Sequence, residues 1–120
     1  MGKSGVKIPL VGLAVWTTFG TRMTDQAVED VISMAYDHGI NYFDTGDAFA
    51  NGRCELVLGN VFRRKNWRRN SFIVSTKLFW TSGPSACPAA PGLSRKFLVE
   101  AVEASLKRLQ LSYIDIVIVN

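Results

Sequence analysis

Nowhere in the chain do apolar residues continue for the roughly 20 positions that a membrane-spanning helix needs. The opening Met1-Gly2-Lys3-Ser4-Gly5 also lacks the apolar stretch of a secretory leader. A soluble, cytoplasmic protein with no direct membrane insertion is therefore expected. Met1-Gly2 is followed by Val6 where a myristoylation signal carries serine or threonine, which argues against an acyl anchor. Histidine occurs once, at His38, and cysteine twice, at Cys54 and Cys87, far apart and with no CxxC pair. That scarcity speaks against a metal site and a disulfide framework, and leaves the thiols as buried or idle groups. Neither sign of charge dominates, because 14 Lys and Arg against 10 Asp and Glu give a net +4 spread over most of the chain. Such a balance gives little support for nucleic acid as a partner. What is present is a 48% hydrophobic chain of 120 residues, the size and content of one globular domain over residues 1–120.

The apolar residues fall into alternating patterns. Leu10 to Val15 suits a short buried strand, entered irregularly past Pro9. Thr24 has the form of a helix N-cap and Asp25 favours a helix start. Val28, Val31, Ile32 and Ala35 then recur at helical spacing until Gly39 stops the helix. Ile40 to Asp44 reads as a second strand ending on an acid, Glu55 to Arg64 as a second helix, and Ser71 to Lys77 as a third strand ending on a base. Three prolines and two glycines between Thr81 and Gly92 mark a loop. After it Ser94 caps a helix with Leu98, Val102, Leu106 and Leu109 on one face, and Tyr113 to Val119 forms a fourth strand. The order β-α-β-α-β-α-β with continuously apolar strands predicts a parallel sheet covered by helices, an α/β fold.

In parallel α/β architectures ligands sit at the C-terminal ends of the strands, where Asp44, Lys77 and Asn120 are expected to converge. A carboxylate and a lysine at neighbouring strand ends can form an ion pair that tunes a proton donor beside a carbonyl substrate. They can equally be a salt bridge closing the rim of the sheet. The other polar and aromatic candidates have plainer readings. His38 sits at a helix end, where it suits the macrodipole, and Arg63, Arg64, Lys65, Arg68 and Arg69 form a solvated helix terminus. Trp67 and Trp80 read as packing anchors.

FDTGDAF at Phe43 to Phe49 resembles the FDTAxxY strand and turn of aldo-keto reductases, and STK at Ser75 to Lys77 resembles their lysine strand. GKSG at Gly2 to Gly5, NWRRNSFIVSTKLFW at Asn66 to Trp80 and GLSRKFLVEAVEASLKRLQLSYIDIV at Gly92 to Val117 are similar to the branch formed by β subunits of voltage-gated potassium channels. The resemblance implies the first part of a (β/α)8 TIM barrel. It also implies NADPH or NADP+ as cofactor, a homo-tetramer, and a channel α subunit as cytoplasmic partner at the membrane.

The family's tetrad of Asp, Tyr, Lys and His maps onto Asp44, Phe49, Lys77 and Asn120, and asparagine at the last position is what the channel branch carries. Phe49 has no O–H, and losing a general acid typically costs about 10² to 10⁴ in rate. Asp47 and Tyr42 are poor substitutes, the first being an anion and the second lying deeper on the strand. Phe49 then reads as a packing residue against cofactor or its neighbours. Cofactor contacts implied by the resemblance are Val15 and Trp16, which match the GTW segment with Val15 in place of threonine, together with Arg22, Asp44 and Asn120. The residues that clamp the dinucleotide phosphates are expected from the second half of a barrel of about 250 residues. Three functions remain open: a regulatory, cofactor-binding scaffold with vestigial activity, an active carbonyl reductase, and a barrel fragment that depends on a partner.

Overall fold

The computed structural model describes residues 1–78 and 93–120. The expected loop at Thr81 to Gly92, Trp80 and Cys87 lie outside the described residues. Four parallel strands, β1 (Leu13–Ala14), β2 (Tyr42–Gly46), β3 (Ile73–Leu78) and β4 (Ile116–Val119), form one sheet in the order β1-β2-β3-β4. Helices α1 (Thr17–Thr21), α2 (Asp25–Asp37), α3 (Arg53–Lys65) and α4 (Arg95–Leu109) intervene, with short 3-10 turns at Phe49–Gly52 and Arg69–Ser71. The alternation of strand and helix is as predicted, with α1 as an unforeseen addition.

Local chemistry sets most of the boundaries. Thr24 Oγ1 accepts the Ala27 N–H at 3.2 Å, and Ser94 Oγ accepts that of Phe97 at 3.1 Å, so both predicted N-caps form. Gly39 takes φ +87°, its N–H bonding Tyr36 O, and His38 Nδ1 lies 2.8 Å from Met34 O at the end of α2. The last turn of α3 is Arg63, Arg64 and Lys65, and the last two reach Glu29 of α2 at 2.7 and 3.1 Å.

Three expectations need correction. The first strand is not Leu10 to Val15: Leu10 and Val11 are exposed, and only Leu13 and Ala14 pair with β2. Gly12 lies against the Tyr42 ring, where a Cβ would come within 2.4 Å of Cδ1, so the chain reaches the sheet only beyond that contact. Strand β2 does not end at Asp44 but continues to Gly46, and β3 runs one residue past Lys77. The buried row of α4 is Phe97, Ala101, Ser105 and Leu109, one position away from the predicted Leu98, Val102 and Leu106. Small residues on that row let α4 come close to α3, where a Cβ on Gly59 would meet Arg108 O at 2.4 Å. Leu98 and Val102 flank the row, partly buried.

Between sheet and helices lies an apolar core around Phe43, whose ring centroid is 5.6, 6.2 and 6.3 Å from those of Phe62, Trp67 and Phe72. Trp67 also stacks on Tyr36 at 3.7 Å and is the packing anchor expected of it. One buried charge crosses this layer. Glu55, with no exposed surface, accepts from Thr76 Oγ1 at 2.5 Å and from Arg108 Nε at 2.6 Å, tying α3 to β3 and α4. At the opposite ends of the strands Arg69 bonds Asp115 at 2.5 Å and lies over the Tyr113 ring. Asp115 also accepts the Val74 N–H at 2.8 Å, which fixes the register of β4 against β3. Among the described residues no helix is long and apolar enough to cross a membrane.

Candidate active site

Side chains alternate across a strand, so the register decides which residues share a face. Phe43 and Thr45 of β2 align with Val74 and Thr76 of β3, and these face the helices. Tyr42, Asp44 and Gly46 align with Ile73, Ser75 and Lys77 and turn to the other side, the inner face. Ala14 aligns with Asp44, and Ile116 and Ile118 with Ser75 and Lys77, so β1 and β4 extend the same face.

The predicted polar groups share this face in three steps. Asp44 lies in the Ser75 row, Lys77 one row nearer the C-terminal edge, and Asn120 follows β4, its N–H bonded to Leu78 O at 3.1 Å. Phe49 opens the 3-10 turn after β2, and its ring covers Gly46. A Cβ there would be 3.2 Å from both Phe49 Cε2 and Lys77 Cβ. Trp16, 56% exposed, stacks on Phe49 with centroids 5.4 Å apart and planes 17° apart. Ala50, Asn51 and Gly52, which follow Phe49, all have positive φ of 50°, 54° and 81°. For Ala50 the left-handed conformation costs about 1–2 kcal/mol, and the tight turn it makes brings Phe49 back over the strand end.

Lys77 and Asp44 do not pair as expected. No ion pair joins them. Asp44 Oδ1 instead accepts the Ser75 hydroxyl, and Ser75 Oγ lies 3.0 Å from the Tyr42 hydroxyl. The magnitudes favour this choice. Ser75 is fully buried, and a hydrogen bond from its hydroxyl to a charged carboxylate contributes about 1.5–3 kcal/mol. A partly exposed lysine-carboxylate pair contributes only about 0.2–1 kcal/mol and must order a long side chain.

The remaining predicted residues scatter. Val15 is fully buried within the helix-facing core, so its side chain presents no surface to a ligand, although its N–H bonds Asp44 O at 2.7 Å. Arg22 is an exposed residue capping α1, its N–H bonded to Thr18 O at 3.0 Å. Asp47 is fully buried and its N–H bonds Lys77 O at 3.1 Å. Cys54 is buried beside α1, its thiol 3.0 Å from Trp16 O, and burial pushes its pKa up. Two residues of the inner face, Ser75 as Asp44's partner and Tyr42 as Ser75's, were not identified by sequence reasoning. The period-2 alternation of SFIVSTK against NYFDT was the signal available for them.

Chemically the rim offers a flat aromatic wall, a carboxylate held by the Ser75 hydroxyl, an ammonium and an amide, around a strand end that Gly46 keeps free of a side chain. A model of the aldo/keto reductase family matches residues 10–120. A thermostable aldo-keto reductase solved with the inhibitor epalrestat superposes with a TM-score of 0.80 at 25% identity, over 99% of this chain and 40% of that one. Two aldo-keto reductase structures from Pseudomonas aeruginosa match at 30% identity with TM-score 0.77 and at 28% with 0.73. Each match covers 98% of this chain, and 43% and 44% of theirs. The fold is thus part of an aldo-keto reductase barrel, and the chain spans less than half the length of these solved relatives.

Proposed function

We propose, from the premise that the chain belongs to the aldo/keto reductase family, that it serves as a cofactor-binding regulatory unit of the potassium channel β-subunit type, with reductase activity vestigial. The observation that carries the reading is Phe49. Its ring covers Gly46 beside Lys77, at the family's proton-donor position, and has no hydroxyl to give. The long similarity to the channel branch at Asn66 to Trp80 and Gly92 to Val117, with Asn120 as the fourth residue, supports the branch. By the same resemblance the partners are a voltage-gated potassium channel α subunit and three further copies, on the cytoplasmic side of the membrane.

The residues present fit the reactive end of NADPH. Trp16 offers an open ring face and Asn120 an exposed amide at the rim, while Gly46 leaves the strand end clear. A bound nicotinamide supplies a hydride. Trp16 would pack against it, and Asn120 and Asp44 would hold it by hydrogen bonds. Lys77 places positive charge beside a carbonyl oxygen. No described group at Phe49 passes that oxygen a proton, so binding is retained while turnover is lost.

The test is to titrate the protein with NADPH, following tryptophan emission, and to assay aldehyde reduction in the same preparation. Binding that quenches emission, weakened by Trp16→Phe, without measurable turnover is expected. Turnover at rates typical of the family, or no binding by the whole protein, contradicts the reading.

A further inference from the structure

We infer that Asn51 is a site of spontaneous deamidation, and that the isoaspartate it yields loosens the turn that lays the Phe49 ring on Gly46. Asn51 is the single asparagine of the chain that precedes a glycine. It is exposed, and among the described residues no hydrogen bond holds its side-chain amide. The amides of Asn41 and Asn60, by contrast, are bonded to Ser71 O and to Gln110 Nε2. The turn around Asn51 is left-handed at Ala50, Asn51 and Gly52, with the Asn51 N–H on Ala48 O at 3.3 Å and the Arg53 N–H on Ala50 O.

The chemistry is internal to the chain and needs only water. The Gly52 nitrogen, once it has given up its proton to base, attacks Asn51 Cγ. The N–Cγ bond forms as the Cγ–Nδ2 bond breaks, ammonia leaves, and a cyclic imide remains. Water opens the imide at either carbonyl. One opening gives aspartate, the other isoaspartate, in which the main chain runs through Cβ and Cγ and is one carbon longer. No atom changes oxidation state. A side chain on the following residue would crowd the approach of the attacking nitrogen, and Gly52 has none. Asn66 is the natural comparison, because it is also exposed and left-handed, at φ 49°, but precedes Trp67.

Both ends of the turn are pinned. Strand β2 is laddered to β3 as far as Gly46, and the Asp47 N–H bonds Lys77 O at 3.1 Å. On the far side α3 is held by buried Cys54, Val57 and Leu58. The added carbon of isoaspartate is therefore absorbed between Ala48 and Arg53, where three successive left-handed residues no longer fit. Phe49 lies inside that interval, so its contact with Gly46 and its stack on Trp16 are what yield. Aspartate leaves the main chain unchanged and adds a negative charge just before α3, where the macrodipole favours it. The inference concerns the aromatic wall of the rim and holds whatever the rim binds.

The test is to age the folded protein at mildly alkaline pH, below its melting temperature, and to follow each asparagine by peptide mass spectrometry. Isoaspartate is read separately, by methylation with a protein isoaspartyl methyltransferase. Asn51 is expected to convert at least about tenfold faster than Asn66. The methyl-accepting product should be lost in Asn51→Ala. Hydrogen exchange over residues 48–53 should be faster in the isoaspartate-containing molecules than in the fresh protein. It should be unchanged in Asn51→Asp, which carries the charge without the added carbon. Conversion of Asn51 no faster than that of Asn66, or conversion only after unfolding in urea, overturns the site. Equal exchange in the isoaspartate-containing molecules and in Asn51→Asp overturns the loosening of the turn. The deciding comparison, Asn51 against Asn66, is made on the native chain and depends on no variant.

Discussion

On the helix-facing side of the sheet Phe43 is enclosed by Phe62, Trp67 and Phe72, whereas its neighbour Tyr42, on the inner face, ends in a hydroxyl shared with Ser75. The same alternation separates Thr76, which bonds buried Glu55, from Lys77, which stands beside Phe49. One face is largely apolar and, among the described residues, holds buried Glu55 as a pair with Arg108. The other is lined by hydroxyls, a carboxylate and an ammonium. Stability therefore resides chiefly on the helix side and chemistry on the inner side, although adjacent residues of the same strands serve both.

Substitutions on the two sides should differ most at Phe43. Phe43→Ala removes a fully buried ring from the aromatic cluster and should cost about 3–5 kcal/mol, while Tyr42→Phe, one residue away, should cost about 1 kcal/mol for one hydrogen bond. Urea denaturation of the pair measures the contrast, and equal losses would dissolve it. Next in size is Glu55→Gln, which strands Arg108 and should cost about 3 kcal/mol. Asp44→Asn, on the inner face, should stay within about 1 kcal/mol in the same assay.

The smallest effect concerns pH. Burial raises the Cys54 thiol above its ordinary value of 9.0, so the folded protein holds that proton more tightly than the unfolded chain does. Its contribution is complete below pH 9.0 and is lost as pH rises through the higher folded value. The urea midpoint should therefore fall between mildly and strongly alkaline pH by more in the native protein than in Cys54→Ala. An equal fall in both would remove Cys54 from the account.

Much of this contrast was legible before the structure. Caps at Thr24 and Ser94 bond neighbours three residues away, so composition alone locates them. The parallel α/β class followed from the alternation of apolar strands with helices, and the set Asp44, Lys77 and Asn120 from their places near strand ends. What escaped the sequence depends on distant partners. Glu55 meets Arg108 across 53 positions, and nothing local distinguishes it from a solvated helix acid. The buried row of α4 moved by one residue because Gly59 lets the helices approach along Ala101 and Ser105 rather than along the leucines. Asp44's choice of Ser75 over Lys77 turns on burial of the serine, which no spacing records. Val15 followed the helix-facing half of the alternation, which the motif match to its neighbour Trp16 could not reveal.

The claim that the inner face retains a reductase's surroundings without its proton donor has one direct measurement. Hydride transfer from NADPH to an aromatic aldehyde should be compared in the native protein and in Phe49→Tyr, with cofactor saturating. Restoring a hydroxyl over Gly46 beside Lys77 should raise the rate by about 10² to 10⁴. Equal rates in the two proteins would contradict the account, since Phe49 would then not be what limits the chemistry.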